Sequence, residues 1–247
     1  MDLFEFLQEY YIYIIIASVV VFVLIAVIIA NYSYDSFVYQ FEKMKKVSAS
    51  YNGSAYDLAV LFNNQIFREM LDIKINSDKD NLSHGSYMTS GAVLNLSSEI
   101  AESKSIASIA IVAHELGHAK QHFENSKRLI NNFALSRYVK FLGFLNYPIF
   151  FLAIYLAVVG LLEYSLICLG AIIISFILAI MLKFVTIKLE KDASDRAVDL
   201  LKQFRIIPDN EILLVKKFLK SARKTYIGDF FRALFAWTGL TRNTKFF

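Results

Sequence analysis

The residues best suited to chemistry stand together in His114-Glu115-Leu116-Gly117-His118. The chain has only four histidines, and two of them are four apart here. On a helix that spacing puts both imidazoles on one face, one turn apart. Both can then reach a single tetrahedral metal at about 2.0–2.1 Å. Glu115 is rotated by about 100° from His114 and stays near the metal's edge, where it can take a proton from a metal-activated water. The single cysteine, Cys168, lies in an apolar run, so neither an internal disulfide nor a thiolate cage is available. Metal donors must be His, Asp or Glu.

A catalytic zinc needs a third protein ligand and an open position. His122 is near in sequence but lies eight residues past His114, about 12 Å along the axis, and is expected to pack or to make an outer hydrogen bond. Glu190, in Leu189-Glu190-Lys191-Asp192-Ala193-Ser194-Asp195-Arg196-Ala197, is the better candidate, because it follows an apolar hairpin that returns the chain to the face it left.

The elements that position these residues can be read from the apolar blocks. The chain of 247 residues is 56% hydrophobic with a mean hydropathy of +0.46, above the roughly 45–50% apolar content of soluble domains. The excess is concentrated in blocks. Residues 11–30 form a first span of the length a hydrocarbon core of about 30 Å requires. Its leading flank is acidic (Asp2, Glu5, Glu9) and the block is long for a signal core, so a retained anchor is expected. Between Lys140 and Lys183 the only charged residue is Glu163, which leaves room for two further spans, 141–162 and 166–185, joined at Glu163-Tyr164-Ser165. Pro148 is expected to kink or start the first arm. Lys and Arg flank every inner end and are missing from the N-terminus and the hairpin turn. The positive-inside rule then places residues 31–140 and the C-terminal segment on the cytoplasmic side. The net charge of +4 forms no dense stripe, which argues against nucleic acid as a partner; the lipid bilayer is the partner the composition demands.

Within 31–140, Ser54 and Asp57 read as a capping box opening a helix with Leu58, Leu61, Phe62 and Ile66 on its apolar face. Residues 72–76 and 92–96 read as short strands, with Ser77 to Gly91 a long turn or hairpin loop. A helix from about Ser105 to Phe123 carries His114 and His118. After the hairpin, 186–247 reads as helical: Asp209 to Thr225 polar, then Tyr226 to Leu240 aromatic-rich, amphipathic and lying in the interface. The whole forms one unit over 1–247, mainly α and integral to a membrane, with about three transmembrane helices, a short β-hairpin or small sheet and a C-terminal amphipathic helix.

The chain resembles the bacterial integral-membrane neutral zinc metallopeptidases, a group related in motif to membrane gluzincins. The resemblance rests on His-Glu-Leu-Gly-His-Ala-Lys-Gln-His (114–122), the apolar hairpin, Glu-Lys-Asp-Ala-Ser-Asp-Arg-Ala (190–197), the capped helix near Ser54 and Lys-Thr-Tyr (224–226). It implies zincin-like catalytic helices, Zn2+ held by His114, His118 and Glu190, and Glu115 as general base in a multi-pass protein of the bacterial cytoplasmic (inner) membrane. Such relatives often place an Asp four residues after the ligating Glu to orient a histidine; that position is Ser194 here, with Asp195 the next candidate. The donor to the developing oxyanion is His84 or Tyr226. The strand 92–96 corresponds to an exposed edge strand that holds extended substrate in this class. The implied activity is an endopeptidase acting on a polypeptide substrate, membrane-associated or cytoplasmic. The rival reading is a catalytically silent membrane metal-binding or scaffold protein, against which the intact Glu115 argues. Oligomeric state is left open.

Overall fold

The computed structural model describes residues 3–76, 85–88 and 92–235. Helix α1 (Leu3–Lys45) extends well past the expected span. Next come α2 (Ala55–Gln65), strands β1 (Asp72–Asn76), β2 (Gly85–Met88) and β3 (Val93–Ser97), short α3 (Ser98–Glu102) and α4 (Ile106–Phe123). Two long helices follow, α5 (Lys127–Val158) and α6 (Leu162–Gln203), and then α7 (Asp209–Phe235). Three helices, α1 over Val20–Lys45, α5 and α6, are long and apolar enough to cross a membrane. The architecture is the mainly α, membrane-associated one that the sequence implies.

Local signals set several boundaries. The capping box is present: the Ser54 backbone donates to Asp57 Oδ2 at 2.7 Å and the Asp57 backbone donates to Ser54 Oγ at 3.1 Å. Ser105 caps α4 by accepting from the Ser108 backbone. The hairpin turn does not fall at Glu163-Tyr164-Ser165, which belong to the first turn of α6. It is formed by Val159, Gly160 and Leu161. Gly160 has φ +83°, and its N–H and that of Leu161 close back onto Ala157 and Leu156 at 3.2 and 2.8 Å. This is the glycine-dependent helix stop in which two orphaned carbonyls are satisfied at once. Pro148 lies inside α5 without ending it.

The small sheet has the order β1-β3-β2. β3 pairs in parallel with β1 and antiparallel with β2. The stretch expected to be only a loop therefore contains a strand, and β2 and β3 form the hairpin. β3, expected as an exposed edge, is the central strand; the edge beside α4 is β2. Leu94 and Leu96 of β3 are fully buried and join a core with Leu58, Phe62, Ile106 and Ile109.

The C-terminal helix also differs from expectation. It does not break at Thr225 but continues to Phe235, the last described residue, and it packs along α1. Phe218 meets Phe37 and Phe41 with ring centroids 5.7 and 6.4 Å apart. Ten residues later, a Cβ on Gly228 would fall 1.8 Å from Ser33 Oγ and 3.2 Å from the Ala30 carbonyl oxygen. The pairing runs in opposite directions along the two helices, so α7 runs beside a helix apolar enough to cross a membrane instead of lying apart from it. The small side at Gly228 is what lets the two backbones approach.

Candidate metal centre

The centre is assembled from α4 and α6. Helix α4 is buried on nearly every side, which is possible because its apolar run Ile106–Ala113 is followed by Leu116, Gly117 and Ala119. Gly117 fixes its distance from α6: a Cβ there would lie 2.3 Å from the carbonyl oxygen of Ala193. With that contact as fulcrum, Glu190, three residues earlier on α6, reaches the two histidines. His114 Nε2 and His118 Nε2 lie 3.2 and 3.3 Å from Glu190 Oε2. One donor atom from each of the three residues lies within 4.8 Å of the others. His114 and Glu190 are 76 positions apart in sequence, and the hairpin closes that gap. Its two arms are tied by Asn132 Nδ2 donating to Thr186 Oγ1 at 2.9 Å.

The far nitrogens of both imidazoles are held. Ser194 Oγ donates to the Glu190 carbonyl at 2.8 Å and lies 3.4 Å from His114 Nδ1. His118 Nδ1 stands 3.0 Å from Gln121 Oε1. Gln121 is fully buried and its Nε2 donates to the Leu189 carbonyl at 3.0 Å and to Asp192 Oδ2 at 2.8 Å. That fixes its oxygen toward His118, so His118 Nδ1 carries a proton and Nε2 is the nitrogen turned to the shared point. Asp192 is the hub of the outer network: Arg196 Nε donates to it at 2.8 Å, Arg128 at the start of α5 pairs with it, and Arg196 also pairs with Glu124.

The donor set fits a divalent metal such as zinc, with two imidazole nitrogens, one carboxylate oxygen and outer hydrogen bonds that leave both Nε2 atoms free to ligate. Burial opposes a charge on His118, but the hydrogen bond and negative charge of Glu190 outweigh it and raise His118 to about 9.

Glu115 is buried, and its charge acts on both His118 and Tyr226. Tyr226 of α7 lines a narrow cleft together with His114, Glu190 and Ser194. Burial, then the charges of Glu190 and Glu115, push its phenol well above the ordinary value. The group stays protonated and able to donate.

The structure thus brings together His114, His118, Glu190, Glu115, Ser194 and Tyr226. Asp195 does not join them: it is exposed and pairs with Lys191 at 3.1 Å. It is one helical step from Ser194, which turns it about 100° off the face that meets α4. His122 stacks edge-on to Phe123 and is absent from the donor cluster. His84 lies outside the described residues. Gln121 and Asp192 were not singled out by the motif, although Gln121 sits three residues after His118, the spacing at which helical side chains meet.

Comparison with known proteins matches residues 16–242 to the family described as "Putative neutral zinc metallopeptidase". The chain belongs to this family. A relative in Bacillus subtilis (strain 168), described as "Putative membrane protease YugP", is 30% identical over 197 residues, covering 79% of this chain and 82% of its own. No solved structure matches. The match to the neutral zinc metallopeptidase family spans α4, the hairpin and α6, so all three converging donor residues lie inside it.

Proposed function

We propose that the protein is a membrane-embedded, zinc-dependent endopeptidase in which His114, His118 and Glu190 hold Zn2+ and Glu115 is the general base. The observation that carries this reading is the convergence of one oxygen of Glu190 on two imidazole nitrogens from a His-Glu-x-x-His helix. Zinc held there would supply Lewis acidity, polarising the scissile carbonyl and lowering the pKa of a water toward about 7. The Glu115 carboxylate takes the proton from the attacking water and returns it to the leaving amine nitrogen. The Tyr226 hydroxyl donates to the oxygen on which charge develops, and its raised pKa keeps the proton in place. His118 is kept in the ligating tautomer by Gln121, and His114 is steadied by Ser194. An extended substrate would pair with the edge strand β2, the role expected of strand 92–96 before its central place was known.

The reading extends to location: a multi-pass protein of the bacterial inner membrane, with the metal centre at the cytoplasmic ends of the spans and polypeptides, some of them membrane-associated, as substrates. The test is metal content and cleavage measured together. The purified protein is expected to carry one zinc and to cleave an unfolded polypeptide. Glu115→Gln is expected to keep the zinc and lose about 10²–10⁴-fold in rate, the usual contribution of a positioned acid–base. Cleavage unchanged in that variant would leave the silent metal-binding protein as the better account.

A further inference from the structure

The metal cleft does not end at Tyr226. It shares Ser194, Leu219 and Arg223 with a larger, more open groove between α6 and α7. On the α7 wall of that groove Lys216, Lys220 and Arg223 recur at helical spacing, so they form one basic face. On the α6 wall are Lys191, Asp195 and Asp199; Asp195 is paired with Lys191. The groove therefore keeps a positive excess, and Arg223 is the cation in both compartments.

Arg223 is half-buried, and among the described residues no hydrogen bond or ion pair is recorded for its guanidinium. The contrast with Arg196 is informative. Arg196 is also half-buried, and it is held by both Asp192 and Glu124, as expected of a guanidinium that structure requires, because partly desolvated charge is costly without a partner. A guanidinium left with its planar fork of donors open, beside a metal centre, suits a planar anion arriving from outside.

We propose that Arg223 is a substrate-recognition residue for a carboxylate, selecting polypeptides that carry either an acidic side chain or a free C-terminal carboxylate close to the scissile bond. The inference rests on the peptidase reading above and adds a specificity to it. The distance follows from α7. Arg223 is three residues before Tyr226, so the two share a helix face with Cβ atoms about 5–6 Å apart. An extended substrate advances about 3.3 Å per residue. If Tyr226 faces the reacting carbonyl, the guanidinium meets a carboxylate one or two residues away along the substrate. Lys220 and Lys216 continue the attraction outward along the groove.

The experiment uses full-length protein in detergent, with Glu115→Gln to stop turnover, and fluorescein-labelled peptides of one length read by anisotropy. One peptide has a glutamate near its centre and an amidated end, a second is neutral with a free C-terminal carboxylate, and a third is neutral and amidated. At least one of the first two is expected to bind about ten-fold or more tightly than the third, as a charge-assisted bidentate pair allows; which one does so identifies the source of the carboxylate. Arg223→Glu is expected to bring the ratio below about two-fold by placing like charges together. Arg223→Lys is expected to keep part of it, since the charge remains and the fork is lost. Zinc content of each variant reports that the centre is still assembled, and Arg223→Gln gives the same comparison without charge reversal. Equal binding of all three peptides by the Arg223 protein would overturn the proposal, as would unchanged discrimination in both Arg223→Glu and Arg223→Gln. Cleavage with Glu115 intact is scored separately. Preserved discrimination without cleavage would support carboxylate recognition while removing the peptidase reading.

Discussion

The two ends of α6 are one continuous helix in two different surroundings. In the first half, Leu166, Ile167, Ile173 and Ile174 are exposed, Ile167 by 68%, and they face no protein. On the other arm of the hairpin, α5 exposes Phe144, Tyr147 and Phe151 in the same way. In the second half Leu189, Glu190, Ala193, Ser194, Ala197 and Leu201 are all buried. Apolar residues point outward in the first half, whereas in the second half apolar residues turn inward and carry Glu190 and Ser194 with them against α4. In the first half the solvent is apolar, so there is little gained by hiding leucines and isoleucines. In the second half water surrounds the domain, and only a partnered carboxylate can be buried. One helix can therefore present a lipid surface and a metal ligand, and the switch between them occurs near Lys183 and Lys188.

Substitutions matched between the two halves can break or sharpen that contrast. The largest difference is expected between two glutamates of the same helix. Glu190→Ala removes the carboxylate of the proposed zinc site and should abolish zinc retention, exceeding the roughly 10–100-fold cost of losing an outer partner. Exposed Glu163→Ala should leave zinc content unchanged. Metal analysis after dialysis reads both, and equal zinc in the two variants would undo the assignment of Glu190. Next, Gln121→Leu deprives His118 Nδ1 of its acceptor and Asp192 of a donor; zinc affinity should fall about 10–100-fold, measured by competition with a chelator.

Glycines give the third comparison. Gly117→Ala would place a methyl group against the Ala193 carbonyl and should destabilise the protein by about 1–3 kcal/mol through overpacking. Gly170→Ala, in the lipid-facing half, meets nothing within 4 Å and should be neutral or stabilise by up to about 1 kcal/mol. Thermal unfolding in one detergent compares them, and a like effect at both sites would show that α4 and α6 do not pack as described. The smallest effect is expected at Ser175→Ala, which removes the 3.0 Å bond from Asn146 Nδ2 inside the apolar hairpin. Bonds between membrane helices average about 0.6 kcal/mol, so a loss of several kcal/mol there would contradict a lipid-solvated hairpin.

How much was legible in the sequence follows the same division. The His114–His118 pair was readable because helix periodicity alone places the two side chains together. Glu190 was readable because a hairpin must return to its starting face. The outer partners were less so: Gln121 stands at the spacing that meets His118, but its orientation is set by its simultaneous hold on Leu189 and Asp192, a contact between helices that no local spacing encodes. Asp195 was chosen as a charged neighbour of Ser194, yet one residue of helical rotation turns it outward. The hairpin turn was misplaced because Glu163 drew attention as the only charge in the run, when Gly160 was the residue able to take a positive φ. β2 was missed because four residues inside a polar loop carry no alternation long enough to read, and the edge role of β3 came from the family resemblance, which does not fix strand order.

The three-residue turn at Gly160 has a consequence for biosynthesis. His114 and His118 emerge from the ribosome before the hairpin, and Glu190 after it. A nascent chain whose hairpin has not entered the bilayer holds two of the three donors and no means of bringing up the third. On the peptidase reading, the hydrolytic centre cannot be completed until insertion is complete, and the newly made chain is inert for as long as it is away from its membrane.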